Sequence, residues 1–240
     1  MLGRRLIQNA KKITFASRPA MMQMGVFAQQ QRAFSSFETI QASAQKLTKS
    51  LDSEIKYENE NYAQLEDIET FLSESGFQFK EEENGLNMVL SKDVGDKMVE
   101  VHFEARQPLP NDMPEQDGEE EEGPSENYCD FTVFITEGNG KNGMVVEATS
   151  MDTEIAFNTV LVSDQMGKVK AMPKFERSIQ EYNGPDFTNL DERIQTSLTE
   201  YLEGFGINEH LAAFVECMSL DKDQRLYMKW LTDVKEFVSK

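Results

Sequence analysis

Four kinds of residue in this chain could carry chemistry. Gly138, Gly140 and Gly143 have the G-x-G-x-x-G spacing that lets a backbone approach a dinucleotide pyrophosphate. That chemistry needs a helix directly after the glycines, its N-terminus facing the phosphates. Here Met144-Val145-Val146-Glu147-Ala148-Thr149 follows, which reads as a strand, and Asn139 and Asn142 are turn residues. The glycines therefore predict a hairpin turn. The tract 112–122 invites a calcium reading, but placing Gly118 sixth in an EF-hand loop puts Met113 first and Pro124 twelfth. Both positions require ligating oxygens, so the loop fails and only weak, exchangeable cation binding is left to it. His102, on the polar face of a strand-like run, and His210, in the first turn of a helical one, have no Cys or His at ligand spacing. Cys129 and Cys217 lie in strand-like and helical runs and read as small core residues. A triad or a carboxylate pair meets only in space and leaves no spacing to find. No catalytic, cofactor-binding or metal-ligating residue is assigned.

What remains is charge. The chain has 240 residues, with 24 Lys and Arg against 43 Asp and Glu, a formal net charge of −19. The distribution is uneven. Residues 1–34 hold Arg4, Arg5, Lys11, Lys12, Arg18 and Arg32 and no acid. An acid-free, basic, partly amphipathic leader reads as a mitochondrial transit peptide. Arg32-Ala33-Phe34-Ser35-Ser36 resembles the matrix-protease pattern, with cleavage expected after Phe34. Residues 35–240 then keep 18 basic residues against 43 acidic ones. Such a balance argues against direct, non-specific binding of nucleic acid, whose phosphates need Lys and Arg. It favours basic proteins as partners, held with strong salt dependence. No run of 18 apolar residues is present, so no transmembrane helix is expected, and two cysteines do not make a disulfide scaffold.

The elements that carry this charge follow from periodicity. Phe37, Ile40, Ala44, Leu47, Leu51 and Ile55 recur every three or four residues, an amphipathic helix. Leu65, Ile68 and Leu72 make a shorter one, stopped by Gly76. The period then becomes two. Strand runs are expected at 77–80, 86–90, 99–105, 131–135, 144–148 and 155–162, with a last strand near Ser178–Tyr182, at hairpin spacing. Residues 107–126 interrupt this pattern. Four prolines and Asp112, Glu115, Asp117, Glu119, Glu120, Glu121, Glu122 and Glu126, with no base, make a solvated loop inside one domain. The loop's acids are the candidate contacts for basic partners. After the strands, Asn189 and Glu192 have capping-box spacing before a stripe of Ile194, Leu198, Leu202 and Phe205. Asn208 opens a short helix with Leu211, Phe214 and Val215, and a final helix carries Tyr227, Trp230, Leu231, Val234, Phe237 and Val238. The fold class is α+β, with residues 35–240 as one domain.

The order of leader, helix, antiparallel strands with an acidic insertion, and terminal helices resembles the mitochondrial acidic matrix protein family. That family is also called the mitochondrial glycoprotein family, and its animal members are complement component one q-binding proteins. The likeness rests on Leu202-Glu203-Gly204-Phe205-Gly206-Ile207-Asn208, on Trp230-Leu231-Thr232-Asp233-Val234-Lys235-Glu236-Phe237-Val238, and on Asp130-Phe131-Thr132-Val133 through Val145-Val146. The resemblance implies a strongly twisted sheet of about seven antiparallel strands with one N-terminal and two or three C-terminal helices. It also implies a ring-shaped trimer in the mitochondrial matrix, and no catalytic site or cofactor. The interface candidates are the apolar stripes of the two long helices: Phe37, Ile40, Leu47, Leu51 and Ile55, with Tyr227, Trp230, Leu231, Val234 and Phe237. The expected role is a scaffold or chaperone for basic mitochondrial proteins such as ribosomal proteins. It would support translation, ribosome assembly and oxidative phosphorylation, touch nucleic acid only indirectly, and assemble with itself or with paralogues. Two other readings stand beside it: a permanent structural subunit of a respiratory or ribosomal assembly, and an enzyme with an unrecognised carboxylate site.

Overall fold

The computed structural model describes residues 37–63, 66–105 and 128–240. The chain divides into two compact units, Met1–Gln41 and Ala42–Lys240. Of the first, the described part is the opening turn of a helix. The second holds the sheet and the rest of the helices.

The helices are α1 (Phe37–Asn61) and α2 (Glu66–Ser75), followed by strands β1 (Gln78–Glu81), β2 (Asn87–Val94), β3 (Lys97–Glu104), β4 (Tyr128–Glu137), β5 (Gly143–Met151) and β6 (Glu154–Ser163). Then come α3 (Met166–Ala171), α4 (Lys174–Gln180), a 3-10 turn (Phe187–Asn189), α5 (Glu192–Glu203) and α6 (Glu209–Val238). The strands form one antiparallel meander in the order β1 to β6, open at both edges. The glycine motif is a hairpin turn, because Gly143 begins β5 and pairs with Thr136. Segment 106–127 joins two neighbouring strands, since Phe103 pairs with Phe131 near its ends.

Alternation sorts the side chains between two faces. Val99, Val101 and Phe103 on β3, and Phe131, Val133 and Ile135 on β4, fill the larger core with α2, α5 and α6. Phe134 and Val145 point the other way and, with Leu161, meet Met166 and Val169 of α3 in a second, smaller core. A bulge at Glu147/Ala148 shifts the β5–β6 register, Glu147 pairing with Thr159 and Ala148 with Phe157. The extra residue puts Phe157 and Val160, three apart, against the same core.

Three expectations are corrected. Six strands are described, not seven, because Ser178–Tyr182 is not a strand: Lys174–Gln180 is helical. Arg177 holds that helix down, its guanidinium donating to the carbonyls of Val169 (3.4 Å) and Met172 (3.3 Å) and to Glu147. Gly184, at φ +80°, lies where a Cβ would stand 2.4 Å from the Val160 carbonyl, so only glycine lets this segment run against β6. The cap of α5 is Asp191 rather than Asn189, which sits inside the 3-10 turn that Asp186 caps. The two last helices are one, α6, of 30 residues. The polar run from Ser219 to Arg225 contains neither Gly nor Pro, so nothing breaks the helix there.

Candidate interaction surface

α5 and its flanks build a strongly acidic surface. Asp186 caps the 3-10 turn, accepting from the Thr188 N–H at 2.9 Å and its hydroxyl at 2.6 Å. Asp191 caps α5, accepting from the Arg193 N–H at 3.0 Å and its Nε at 2.9 Å. The Thr188 hydroxyl and the Arg193 side chain, helped by the backbone donors, hold these carboxyls below their usual range, so both stay charged well into acid. Leu202 turns inward and is fully buried, while Glu192, Glu200 and Glu203 stand exposed, followed by Glu209 at the start of α6. Segment 186–209 thus presents six exposed carboxylates against one base, Arg193, which is already tied to Asp191. Ile194 and Tyr201, 49% and 45% exposed, stand among them.

On the opposite face of the sheet the charges are used up in pairs. Arg177, buried, reaches Glu147 at 2.5 Å, and Lys174 lies 3.5 Å from both Glu147 and Asp130. Lys170 pairs with Glu100, and Thr132 donates to Glu147 at 2.8 Å. Both Lys170 and Arg177 also face the Phe134 ring, at 5.7 and 5.4 Å. His102, expected on a polar face, is half-buried there with its edge on Phe134. Burial lowers its pKa below the usual histidine value and keeps the ring neutral at neutral pH. Its Nε2 is buried without a hydrogen-bond partner among the described residues. Burial pushes the Cys129 thiol up to about 11, which removes it as a nucleophile at neutral pH. Among the described residues no group of three or more His, Cys, Asp or Glu could hold a metal ion.

The loop acids Asp112, Glu115, Asp117, Glu119 to Glu122 and Glu126 lie outside the described residues. The interface candidates separate. Phe37, Ile40, Leu47, Tyr227, Trp230 and Phe237 are exposed, Ile55 and Val234 half-buried, and Leu51 and Leu231 buried within this chain. Polar contacts tie α1 to α6: Glu58 to Gln224 at 2.6 Å, Asp52 to Lys235 at 2.6 Å and Glu54 to Tyr227 at 3.2 Å. Just beyond α1, the Tyr62 hydroxyl donates to Asp221 at 2.8 Å. Burial and that carboxylate push the Tyr62 phenol up to about 12. Next to it Arg225 grips Glu81 with two hydrogen bonds, at 3.0 and 2.9 Å, and Asp221 at 2.7 Å. Lys222 completes the cluster from the inside, 3.0 Å from Glu81. Sequence reasoning passed over Lys222 and Arg225; a base inside a helix stripe that should be apolar was the one available signal.

The mitochondrial glycoprotein family pattern matches residues 51–238. The mitochondrial acidic protein mam33 of Schizosaccharomyces pombe is 30% identical over 215 residues, which cover 80% of this chain and 78% of that protein. An uncharacterised mitochondrial protein of Arabidopsis thaliana is 25% identical over 198 residues, 82% of this chain and 76% of its own length. Among solved structures, a Leishmania major protein of unknown function, described as a sequence homologue of human p32, superposes with a TM-score of 0.66 at 21% identity. The Trypanosoma brucei p22 protein does so with 0.65 at 23%, and each alignment covers 82% of this chain and 99% of the other. At such identities these two show a shared fold.

Proposed function

Because this chain belongs to the mitochondrial glycoprotein family of mitochondrial acidic proteins, we propose that it acts without catalysis, as a scaffold or chaperone for Lys/Arg-rich proteins of the mitochondrial matrix. The observation that carries this reading is the charge: 18 basic against 43 acidic residues over 35–240, with six exposed carboxylates on 186–209 alone. Self-repulsion on that scale costs stability. It gains a long-range field that draws basic chains in and holds them in many weak, exchangeable contacts. Ribosomal proteins have the matching chemistry, so translation, ribosome assembly and the oxidative phosphorylation that depends on them are the processes served. Contact with RNA runs through such proteins. The leader 1–34 is the import signal, removed after Phe34.

Assembly belongs to the same proposal. Phe37, Ile40, Leu47, Trp230 and Phe237 are exposed apolar residues on two long helices. Burying them between subunits of a trimer removes them from water and brings three acidic surfaces together.

The test is affinity purification of tagged protein from mitochondria, eluted in salt steps, with native mass on each fraction. Basic ribosomal proteins released at moderate salt from a trimer-sized core support the proposal. An intact respiratory complex that stays bound in high salt overturns it, and a monomer at micromolar concentration in low salt removes the trimer. Neutralising Glu119 to Glu122 as glutamines, and separately Glu200→Gln with Glu203→Gln, assigns the contact. The set that weakens binding and flattens its salt dependence is the contact surface, and unchanged binding in both rejects these carboxylates.

A further inference from the structure

A groove of about 520 Å3 runs between α2 and the first turns of α6. Phe71, Phe77 and Phe214 line it, with Ile68, Ala213 and Cys217. The rings pack on one another: Phe71, half-buried, stacks on Phe214 at 4.5 Å and on Phe77 at 6.1 Å between centroids, and the last two are buried but for the edges that line the groove. This is the size and lining of a small-molecule site, largely apolar with a few polar groups at one end.

The polar end is Lys92. Its ammonium sits 5.2 Å from the Phe77 centroid, over the ring. The described lysines that are buried or half-buried are Lys92, Lys97, Lys170, Lys222 and Lys235. The last four each have a carboxylate partner, Asp96, Glu100, Glu81 and Asp52. Lys92 has none among the described residues. In a chain with 43 acidic residues, a half-buried lysine without a carboxylate among the described residues is a cation that an anionic ligand can pair with. Gly206 borders it closely, since a Cβ there would lie 3.6 Å from the ammonium. The start of α6, capped by Asn208, is on the same wall and adds the positive end of a long helix. Thr70, Ser75, Glu74 and His210 also line it, and Glu74 and His210 are exposed to water, whose high dielectric weakens their reach.

We propose that this groove binds an amphipathic monocarboxylate, its hydrocarbon chain on the three phenylalanine rings and its carboxylate on Lys92. The assignment does not depend on the acidic-chaperone reading, because the groove and the exposed carboxylates of α5 are different surfaces. The probe is sodium decanoate, titrated calorimetrically into the full-length protein, with decanol as the uncharged control. Wild-type protein should bind decanoate saturably, one molecule per chain. Lys92→Met keeps the aliphatic stem and should weaken decanoate by about tenfold or more, the loss of one charge-assisted hydrogen bond. It should leave decanol binding unchanged. Ala213→Trp fills the groove and should abolish both. Circular dichroism and native mass confirm that each variant keeps its fold. No saturable decanoate binding to wild type, equal decanoate affinity in Lys92→Met, or undiminished binding in a folded Ala213→Trp each overturns the proposal.

Discussion

Replacing Lys222 by Met tests whether a buried cation holds the sheet edge to the long helix. Lys222 has no exposed surface and makes three contacts: Glu81 at 3.0 Å, the Glu82 carbonyl at 2.6 Å and the Glu83 carbonyl at 3.3 Å. Met fills much of the same volume, so the loss is of charge rather than packing. Glu81 keeps both oxygens on Arg225 and is not stranded. Glu82 retains only a long bond from the Gly85 N–H, at 3.4 Å, and Glu83 loses its ammonium donor. Glu82 and Glu83 are exposed residues, so water takes over part of each lost bond, and the loss sits at the low end of the roughly 1–3 kcal/mol that a stranded buried acceptor costs. The expected net loss is about 1–2 kcal/mol, or about 2–8 °C in melting temperature for a domain of this size. The assay is thermal and urea unfolding at one fixed protein concentration, since assembly makes the midpoint concentration-dependent. Amide exchange should quicken at β1 and the 82–85 turn more than in α5. A variant within about 0.5 kcal/mol of wild type, the range of ordinary surface substitutions, refutes the argument, as does a uniform rise in exchange.

Three further outcomes follow from single residues. Thr153, a β-branched residue at φ +72°, closes the β5–β6 turn behind Asp152 at φ +51°, its N–H held by Glu216 at 3.0 Å. Thr153→Gly makes the favoured Asp-Gly turn and should stabilise by about 1 kcal/mol in urea unfolding; a destabilised variant would show that the turn is unstrained. Burial alone would raise the Glu81 carboxyl, but the hydrogen bonds from Arg225 and Lys222 more than offset it and hold it below its ordinary value. The stability Glu81 adds is therefore present above the unfolded-state value, about 4.5, and is lost as pH falls through its lower folded value. Glu81→Gln should flatten that acid limb of a stability–pH curve, and an unchanged limb would contradict the assignment. Arg177→Met should cost about 3 kcal/mol, because it leaves Glu147 half-buried with Thr132 and Lys174 only among the described residues; a melting curve that does not shift rejects it.

The long periodic elements were legible because their pattern is local. The stripe from Phe37 to Ile55, the strand alternations and the turn at Asn139–Gly143 each need only neighbouring residues to be recognised. The acid-free stretch 1–34 and the acidic surplus are properties of composition, and the family likeness follows from residue order. Residues 163–186 were not legible, because α3 and α4 have 6 and 7 residues, too short for a period. What makes them helices is distant: Met166 and Val169 in a small core with Phe134, and Arg177 on Glu147, 30 residues away in the chain.

Fold class, family, mitochondrial location and the sign of the net charge can all be read from residue order and counts, because local pattern carries them. Which charges are spent depends on the folded chain. Lys222, on α6, is buried on Glu81 and on two carbonyls, 140 and 139 residues away, whereas Lys92, on β2, stands above an aromatic groove without a carboxylate among the described residues. Electrostatic partners are chosen by distance in space, which a chain's order does not record.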